Sequence, residues 1–338
     1  MSEHDYPHQP SQCIELLSAA PLKLQYLAEG NANVIFKVRP TTPELTTHNN
    51  CCVLRLRKNL PFTKPAIEVL TAFRTRIMPL YEDHQELLLE QALYKLNADV
   101  LGQADSIIRL LERDEKPNRA PKRRKVYLPS LEAEPHGILM PNLHRRPNVK
   151  LLEFKPKWLL QSPSAPLDAK RCRTCALNAL RRAEGKVPGR GDGGFCPLSL
   201  LLSEKIDEVL TSIAAPISAA ALTPDFVSKV RPALFHHRHL QQKHDEVGLQ
   251  DFRDPTGKDF SVAMALRDCS VFLVVEASGI GWRIVEVKFA DLDLKTPDGG
   301  KLEHWASIEK SLLDYGAYVA EDQICVISSP VKDEPDVK

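Results

Sequence analysis

Two apolar runs, Val271–Glu276 and Trp282–Phe289, stand on either side of Ala277-Ser-Gly-Ile-Gly281, and this glycine turn commits them to an antiparallel hairpin. Residues equidistant from such a turn are cross-strand neighbours. With the turn centred between Gly279 and Ile280, Asp268 is expected opposite Asp291 across the open end. One acid enters and one leaves a buried hairpin, an arrangement that suits a base and a metal ligand. Asp293, two residues on, adds a third oxygen donor on the same face, and the set suits a hard cation such as Mg²⁺. Read alone, the pair serves equally well as strand-end caps, because Asp is common at turns.

Further strands are expected at Leu22–Tyr26, Val34–Val38, Cys52–Leu56, Gly137–Leu143 and Leu151–Lys157. Helical spacing runs from Ala66 to Met78, through Ile67, Leu70, Phe73 and Ile77. Other helices are expected through Tyr81–Leu96, Val100–Leu111, Asp168–Glu184, Leu198–Ile213 and Leu302–Tyr318. The pattern is that of an α+β protein, and no internal repeat points to a solenoid or propeller.

Charge narrows the function classes. Lys and Arg number 45 against 44 Asp and Glu, so the net charge is +1 and a protein that coats nucleic acid is not expected. A polyanionic ligand must be met by local clusters of cations. Apolar runs fall far short of the ~20 residues that cross a bilayer, and the start Met1-Ser-Glu-His-Asp5 is polar, so an intracellular monomer with no membrane partner is expected. Eight cysteines are then expected as reduced thiols. Cys172-Arg-Thr-Cys175 with Cys196 lacks a second pair and reads as helix-borne thiols rather than a metal site. His236, His237, His239 and His244 are irregularly spaced and read as surface polar residues. Pro121-Lys-Arg-Arg-Lys125 serves as a nuclear localisation signal or as a solvated loop, so nucleus and cytoplasm both remain open.

Three segments concentrate cations or small residues. Val53-Leu-Arg-Leu-Arg-Lys58 alternates apolar with cationic, placing Arg55 and Arg57 on one face. It follows Glu29-Gly-Asn-Ala-Asn33, a small-residue turn whose backbone N–H groups can approach a phosphate closely. In Glu153-Phe-Lys-Pro-Lys157, Pro156 forces Lys155 into an extended conformation, so Lys155 and Lys157 project from the same side. Two fixed ammonium groups repel each other unless an anion lies between them.

Together with Arg267-Asp-Cys-Ser270 and Asp291-Leu-Asp-Leu-Lys295, these segments occur in the order found in the inositol-pentakisphosphate 2-kinase family, which the chain resembles in a compact fungal form over roughly residues 26–318. The resemblance implies a two-lobed inositol phosphate kinase-like fold, distantly protein-kinase-like. Its smaller N-terminal α/β lobe would span residues 1–143, its larger C-terminal lobe 144–328, and a disordered tail 329–338. It implies transfer of the ATP γ-phosphoryl group to the 2-hydroxyl of inositol 1,3,4,5,6-pentakisphosphate, with Mg²⁺. Asp268 would accept the hydroxyl proton, with Lys155 beside it in catalysis. Asp291 and Asp293 would hold the metal. Glu29, Gly30, Asn31, Ala32, Asn33 and Arg55 would meet the ATP phosphates, with Met140 and Asn142 at the adenine hinge. Lys155, Lys157, Arg181, Lys295, Lys301, Trp305 and Arg119 would grip the inositol phosphates.

The chain departs from the family in places. Leu177 stands where plant members carry His, Arg181 replaces Lys, Lys301 replaces Arg and Trp305 replaces Tyr. No cysteine lies between Cys196 and Cys269, so the plant members' zinc site before the catalytic Asp is not expected. A competing reading is a non-catalytic protein that binds inositol phosphates or nucleic acid on the same fold. Such a module needs the cations but has no use for Asp268 and Asp291 together.

Overall fold

The computed structural model describes residues 10–113, 119–144, 148–186, 194–215, 217–253, 260–279, 281–321 and 325–328. The tail 329–338, expected to be disordered, lies outside the described residues. The chain divides into two compact units, residues 1–75 with 89–145 and residues 76–88 with 146–338.

The first unit contains α1 (Pro10–Leu17), α2 (Ala66–Ala72), α3 (Ala98–Arg113) and an antiparallel five-stranded sheet. Its strands are β1 (Leu22–Glu29), β2 (Asn33–Pro40), β3 (Cys52–Arg57), β4 (Ala92–Lys95) and β5 (His136–Pro141), in spatial order β1-β2-β3-β5-β4. Strand alternation puts Val34, Phe36 and Val38 on one face of β2, where all three are wholly buried. They share a core with Leu54, Leu139 and the inward stripe Val100, Ala104 and Ile108 of α3. Gly137 lets β5 pack closely on β3, because a Cβ there would lie 2.7 Å from Leu56 Cδ2 and 2.9 Å from Leu54 Cδ1 and would force those side chains to shift.

The second unit holds a three-stranded antiparallel sheet, β6 (Val149–Phe154), β7 (Ser270–Ser278) and β8 (Gly281–Ala290), in that spatial order. Its helices are α4 (Arg173–Ala183), α5 (Ile206–Ile213), α6 (Ala219–Asp225), α7 (Arg231–Lys243), α8 (Leu249–Arg253), α9 (Phe260–Asp268) and α10 (Lys301–Asp314). Trp158, Val247, Phe252, Phe260 and Met264 form one of its cores, with Trp305 of α10 packed against it. Among the described residues, no helix is long and apolar enough to cross a membrane.

Three expected helices are altered. The stretch Tyr81–Leu96 is not α-helical: its first part belongs to a kinked 3₁₀ helix, Met78–Leu87, behind Pro79, and Ala92–Lys95 joins the first sheet as β4. A short apolar run fits either period, and here pairing with β5 decides it. The helix expected from Leu198 starts only at Ile206, after a 3₁₀ segment at Pro197–Leu201. α4 begins at Arg173, five residues after the expected Asp168. Leu88 bridges to Phe289 of β8, which places residues 76–88 with the second unit.

The hairpin forms as expected near its turn, where Ser278 faces Gly281 and Val275 faces Ile284. A bulge between Val274 and Val275 then slides the register by one, so that Val274 faces Glu286 and Ser270 faces Ala290. Asp268 and Asp291 are therefore not cross-strand partners. Asp268 ends α9, and Asp291 is the first residue past β8.

Candidate active site

A lysine, rather than strand pairing, brings the two acids together. Lys155 lies just past β6, and its Nζ donates to the Asp268 backbone oxygen at 2.6 Å. The same ammonium lies 3.4 Å from Asp268 Oδ1 and 3.3 Å from Asp291 Oδ2. Lys157 Nζ is 3.6 Å from Asp268 Oδ1, and Lys295 Nζ is 3.2 Å from Asp268 Oδ2. The anion demanded by the Lys155–Lys157 pair is thus the Asp268 carboxylate. Lys157 and Asp291 both adopt left-handed backbone, with φ of 53° and 57°. That conformation is uncommon outside glycine, and such residues gather at functional sites.

The lysines set the ionisation of the site. Burial pushes the Asp268 carboxyl up, but Lys295, Lys155 and Lys157 outweigh it and hold the group below its ordinary value. For Lys295, burial pushes the ammonium down, while Asp291, Asp268 and Asp293 raise it above its ordinary value. Asp268 is thus ionised throughout the neutral range. Replacing Lys295 by Met removes a cation that depresses Asp268, so the acid limb of the kcat/KM profile is expected to move to higher pH. An acid limb at the wild-type position would separate that limb from Asp268.

Behind Asp268, the chain is held by a histidine. His237 is wholly buried, unlike the surface residue expected, and it packs against Phe289 and Tyr81. Burial pushes it down to about 4, so it is neutral. Its Nε2 lies 2.7 Å from the Leu266 carbonyl, which can only accept, so Nε2 carries the proton and Nδ1 accepts from Tyr81 Oη at 2.7 Å. The pair anchors the end of α9 two residues before Asp268.

A pocket of about 220 Å³ opens beside Asp268. Its wall carries five cations, Lys157, Arg173, Arg181, Arg267 and Lys295, against the single carboxylate of Asp268. Of the residues expected to grip the ligand, the structure brings Lys157, Arg181, Lys295 and Trp305 to this wall. Lys301 is exposed at the start of α10 and does not line it. Arg173 and Arg267 were not singled out as ligand contacts from sequence. Their guanidinium groups lie 4.2 and 4.9 Å from the Trp158 ring, and burial pushes Arg267 down to about 10, so it remains charged.

Arg173 is fixed by a carboxylate that sequence reading also missed. Glu309 is wholly buried and accepts from Arg173 Nε at 2.8 Å, Ser162 Oγ at 2.6 Å and Tyr318 Oη at 2.6 Å. It sits between Trp305 and Leu312 on the inward face of α10, and a lone acid on an apolar stripe is the signal that could have found it. Glu309→Ala leaves Arg173 as a buried, uncompensated charge. It is expected to lower stability by about 3–5 kcal/mol in urea denaturation.

In the first unit, the expected nucleotide side has a buried ionic core. Glu29 accepts from Lys58 Nζ at 2.8 Å and from Arg119 Nε and Nη2, both at 3.0 Å. Arg119 also pairs with Glu112, and the side chains of Arg119 and Glu29, both expected as ligand contacts, are 0% and 1% exposed within this ion-pair network. Lys58 Nζ further donates to the Gly30 carbonyl, which ties the turn Gly30–Asn33 to β3. Asn31 and Ala32 lie within that turn, and a Cβ at Gly30 would meet no atom within 4 Å. Arg55 is buried in β3, while Arg57 pairs with Glu134 at 2.5 Å. Met140 faces Val53 across the sheet, and Asn142 is buried with its amide donating to the Asn50 carbonyl. Of the basic run Pro121–Lys125, Arg123 donates to the Glu29 carbonyl and Arg124 to that of Arg119.

Carboxylate oxygens are the donors a hard divalent cation takes, and among the described residues Asp268, Asp291 and Asp293 do not gather into a three-ligand cluster within 4.8 Å. Asp268 and Asp291 present carboxylates that are 46% and 48% exposed, and Asp293 lies close enough to Lys295 to raise its ionisation.

The family model for inositol-pentakisphosphate 2-kinase matches residues 26–225 and 223–311. An inositol-pentakisphosphate 2-kinase of Yarrowia lipolytica is 29% identical over 334 residues, covering 91% of this chain and 96% of the relative. A second, from Debaryomyces hansenii, is 25% identical over 199 residues, covering 48% of the chain and 49% of that protein. The five segments that carried the resemblance all fall within the matched residues, and the chain belongs to the inositol-pentakisphosphate 2-kinase family.

Proposed function

We propose that the second unit binds inositol 1,3,4,5,6-pentakisphosphate in the cation-lined pocket beside Asp268 and presents its 2-hydroxyl to that carboxylate. The hydroxyl proton passes to Asp268 and the oxygen bonds to the γ-phosphorus of ATP. The bond from that phosphorus to the bridging oxygen breaks, releasing ADP and inositol hexakisphosphate. The carrying observation is the Asp268 carboxylate held by three lysines on a wall with five cations.

Five phosphates carry roughly −8 to −10, so converging cations are what such a ligand needs. Lys157, Lys295 and Arg181 bind phosphates in this reading, and Arg173 and Arg267 supply fixed positive field behind them. Phosphoryl transfer depends mainly on positioning and charge stabilisation. A depressed Asp268 suits that demand, since it orients the hydroxyl and takes its proton late. Asp291, with Asp293, would hold Mg²⁺, which supplies charge neutralisation to the transferring phosphoryl group. Lys155, between the acids, offsets their mutual repulsion.

The two compact units, the first built on an antiparallel sheet, support a two-lobed kinase-like reading. The turn Gly30–Asn33, braced by Lys58, is the element proposed to meet ATP phosphates. Incubating the purified chain with ATP, Mg²⁺ and the pentakisphosphate, and resolving products by ion exchange and ³¹P NMR, tests the reading. The expected product is the symmetric hexakisphosphate. A pyrophosphorylated pentakisphosphate, or no product, contradicts it.

A further inference from the structure

Gln241 lies on α7 one turn after His237, and it is wholly buried. Its amide joins two segments far apart in the chain. Oε1 accepts from the Leu159 N–H at 2.9 Å, while Nε2 donates to the Lys157 carbonyl at 2.8 Å and to the Leu266 carbonyl at 3.1 Å. The orientation is fixed, because the backbone N–H can only donate and the two carbonyls can only accept. Both amide hydrogens and the oxygen are therefore used.

Each partner belongs to a segment that carries a charged group of the site. Lys157 has left-handed backbone, with φ of 53°, which a residue other than glycine keeps only when its surroundings over-determine it. Gln241 grips that bend on both sides, at the Lys157 carbonyl and at the Leu159 N–H. Leu266 lies two residues before Asp268 in α9, and its carbonyl is also met by His237. The Gln241 backbone carbonyl accepts from Arg267 Nη2 at 2.9 Å, a second tie from α7 to the pocket wall. One side chain thus sets the backbone on both sides of the Lys157–Asp268 pair, whose charged atoms are 3.6 Å apart. A hydrocarbon of the same length fills the same space but withdraws all three hydrogen bonds.

We propose that Gln241 is a positioning residue of this site, which aims the Lys157 ammonium at an inositol phosphate and fixes the end of α9 that carries Asp268. The inference rests on the reading of the pocket given above. Gln241 does not itself line the pocket, so it acts through the residues whose backbone it holds.

The test is a double-mutant cycle of Gln241→Met and Lys157→Met in the full chain. It is read as affinity for inositol hexakisphosphate by calorimetry without nucleotide, so it does not depend on turnover. In the wild-type background, Lys157→Met is expected to weaken binding by about tenfold or more, the worth of a charge-assisted contact. In the Gln241→Met background it is expected to cost less than about threefold, because the ammonium is no longer aimed. Equal costs in the two backgrounds overturn the proposal. Kinetics give a second readout: Gln241→Met is expected to raise KM for the pentakisphosphate and lower kcat, each by about tenfold, with KM for ATP unchanged. A mere loss of folded protein lowers kcat and leaves both KM values alone, and that result also overturns it. Gln241→Glu keeps an acceptor for the Leu159 N–H and loses both donors, so it carries the same expectation and stands in where the methionine variant does not fold. A crystal structure of the wild type with inositol hexakisphosphate needs no variant. Lys157 Nζ is expected on a phosphate with the Lys157 carbonyl still held by Gln241, and a carbonyl released from Gln241 overturns the proposal. Wild-type binding that ignores Lys157→Met contradicts the pocket reading and this inference with it. A wild type that makes no hexakisphosphate while the binding cycle is as expected contradicts the reaction and supports the role of Gln241.

Discussion

Asp268→Asn is expected to cut turnover by about 10²–10⁴-fold, the range for losing a positioned proton acceptor. The amide keeps the shape of the carboxylate, and the Lys155 bond to the Asp268 backbone oxygen does not depend on the side chain. Thermal unfolding should therefore stay close to wild type. The charge change gives a second, sharper signature. Lys155, Lys157 and Lys295 lose the one carboxylate that all three share, so the pocket becomes more positive. Affinity for the polyanionic substrate should be unchanged or tighter while turnover collapses. A variant that loses affinity and turnover together would make Asp268 a binding group and displace it as the base.

Lys155→Met carries the second large effect. Its ammonium bridges the two acids, lying 3.4 Å from one carboxylate and 3.3 Å from the other. Without it, Asp268 and Asp291 face each other with less compensation, and the carbonyl at the end of α9 loses its donor. The expected loss in kcat/KM for the inositol phosphate is about 10²–10³-fold, comparable to deleting one fixed donor at a reacting centre. ATP affinity, measured by direct titration, should move by no more than a few-fold. Equal losses toward both ligands would contradict the placement of Lys155 at the acid pair.

The hairpin shows how far sequence carries such a site. The apolar runs and glycine turn were enough to foresee β7, β8 and a pair of acids at their open end. The bulge at Val274 and Val275 was not legible, because an extra residue in one strand leaves no mark on an apolar run. It removes the cross-strand relation of Asp268 and Asp291, and Lys155 supplies the proximity instead. The proline in Lys155-Pro-Lys157 announced two parallel ammonium groups, but not that their anion lies 113 residues away in the chain.

Other features depended on tertiary context. The resemblance implies ligand contacts for Arg119 and Glu29, and no sequence signal shows that their side chains pair with each other. His237 looked exposed because irregular histidine spacing carries no periodic signal, yet it is buried against Phe289 and bonded to Tyr81. The Cys325 sulfur lies within 4.8 Å of those of Cys172, Cys175 and Cys196, a proximity that no spacing rule announces. The segment Ala92–Lys95 read as helix because four residues cannot distinguish the two periods without a partner strand.

On the proposed reading, the Asp268 carboxylate, held by Lys155, Lys157 and Lys295, takes the hydroxyl proton during the transfer. Single-turnover rapid quench tests it most directly. Enzyme in excess is mixed with ATP, Mg²⁺ and inositol 1,3,4,5,6-pentakisphosphate, with Asp268→Asn beside wild type. Hexakisphosphate should form in wild type and be suppressed by about 10²-fold or more in the variant, with the pentakisphosphate still bound. Equal rates of hexakisphosphate formation in the two proteins would contradict the account.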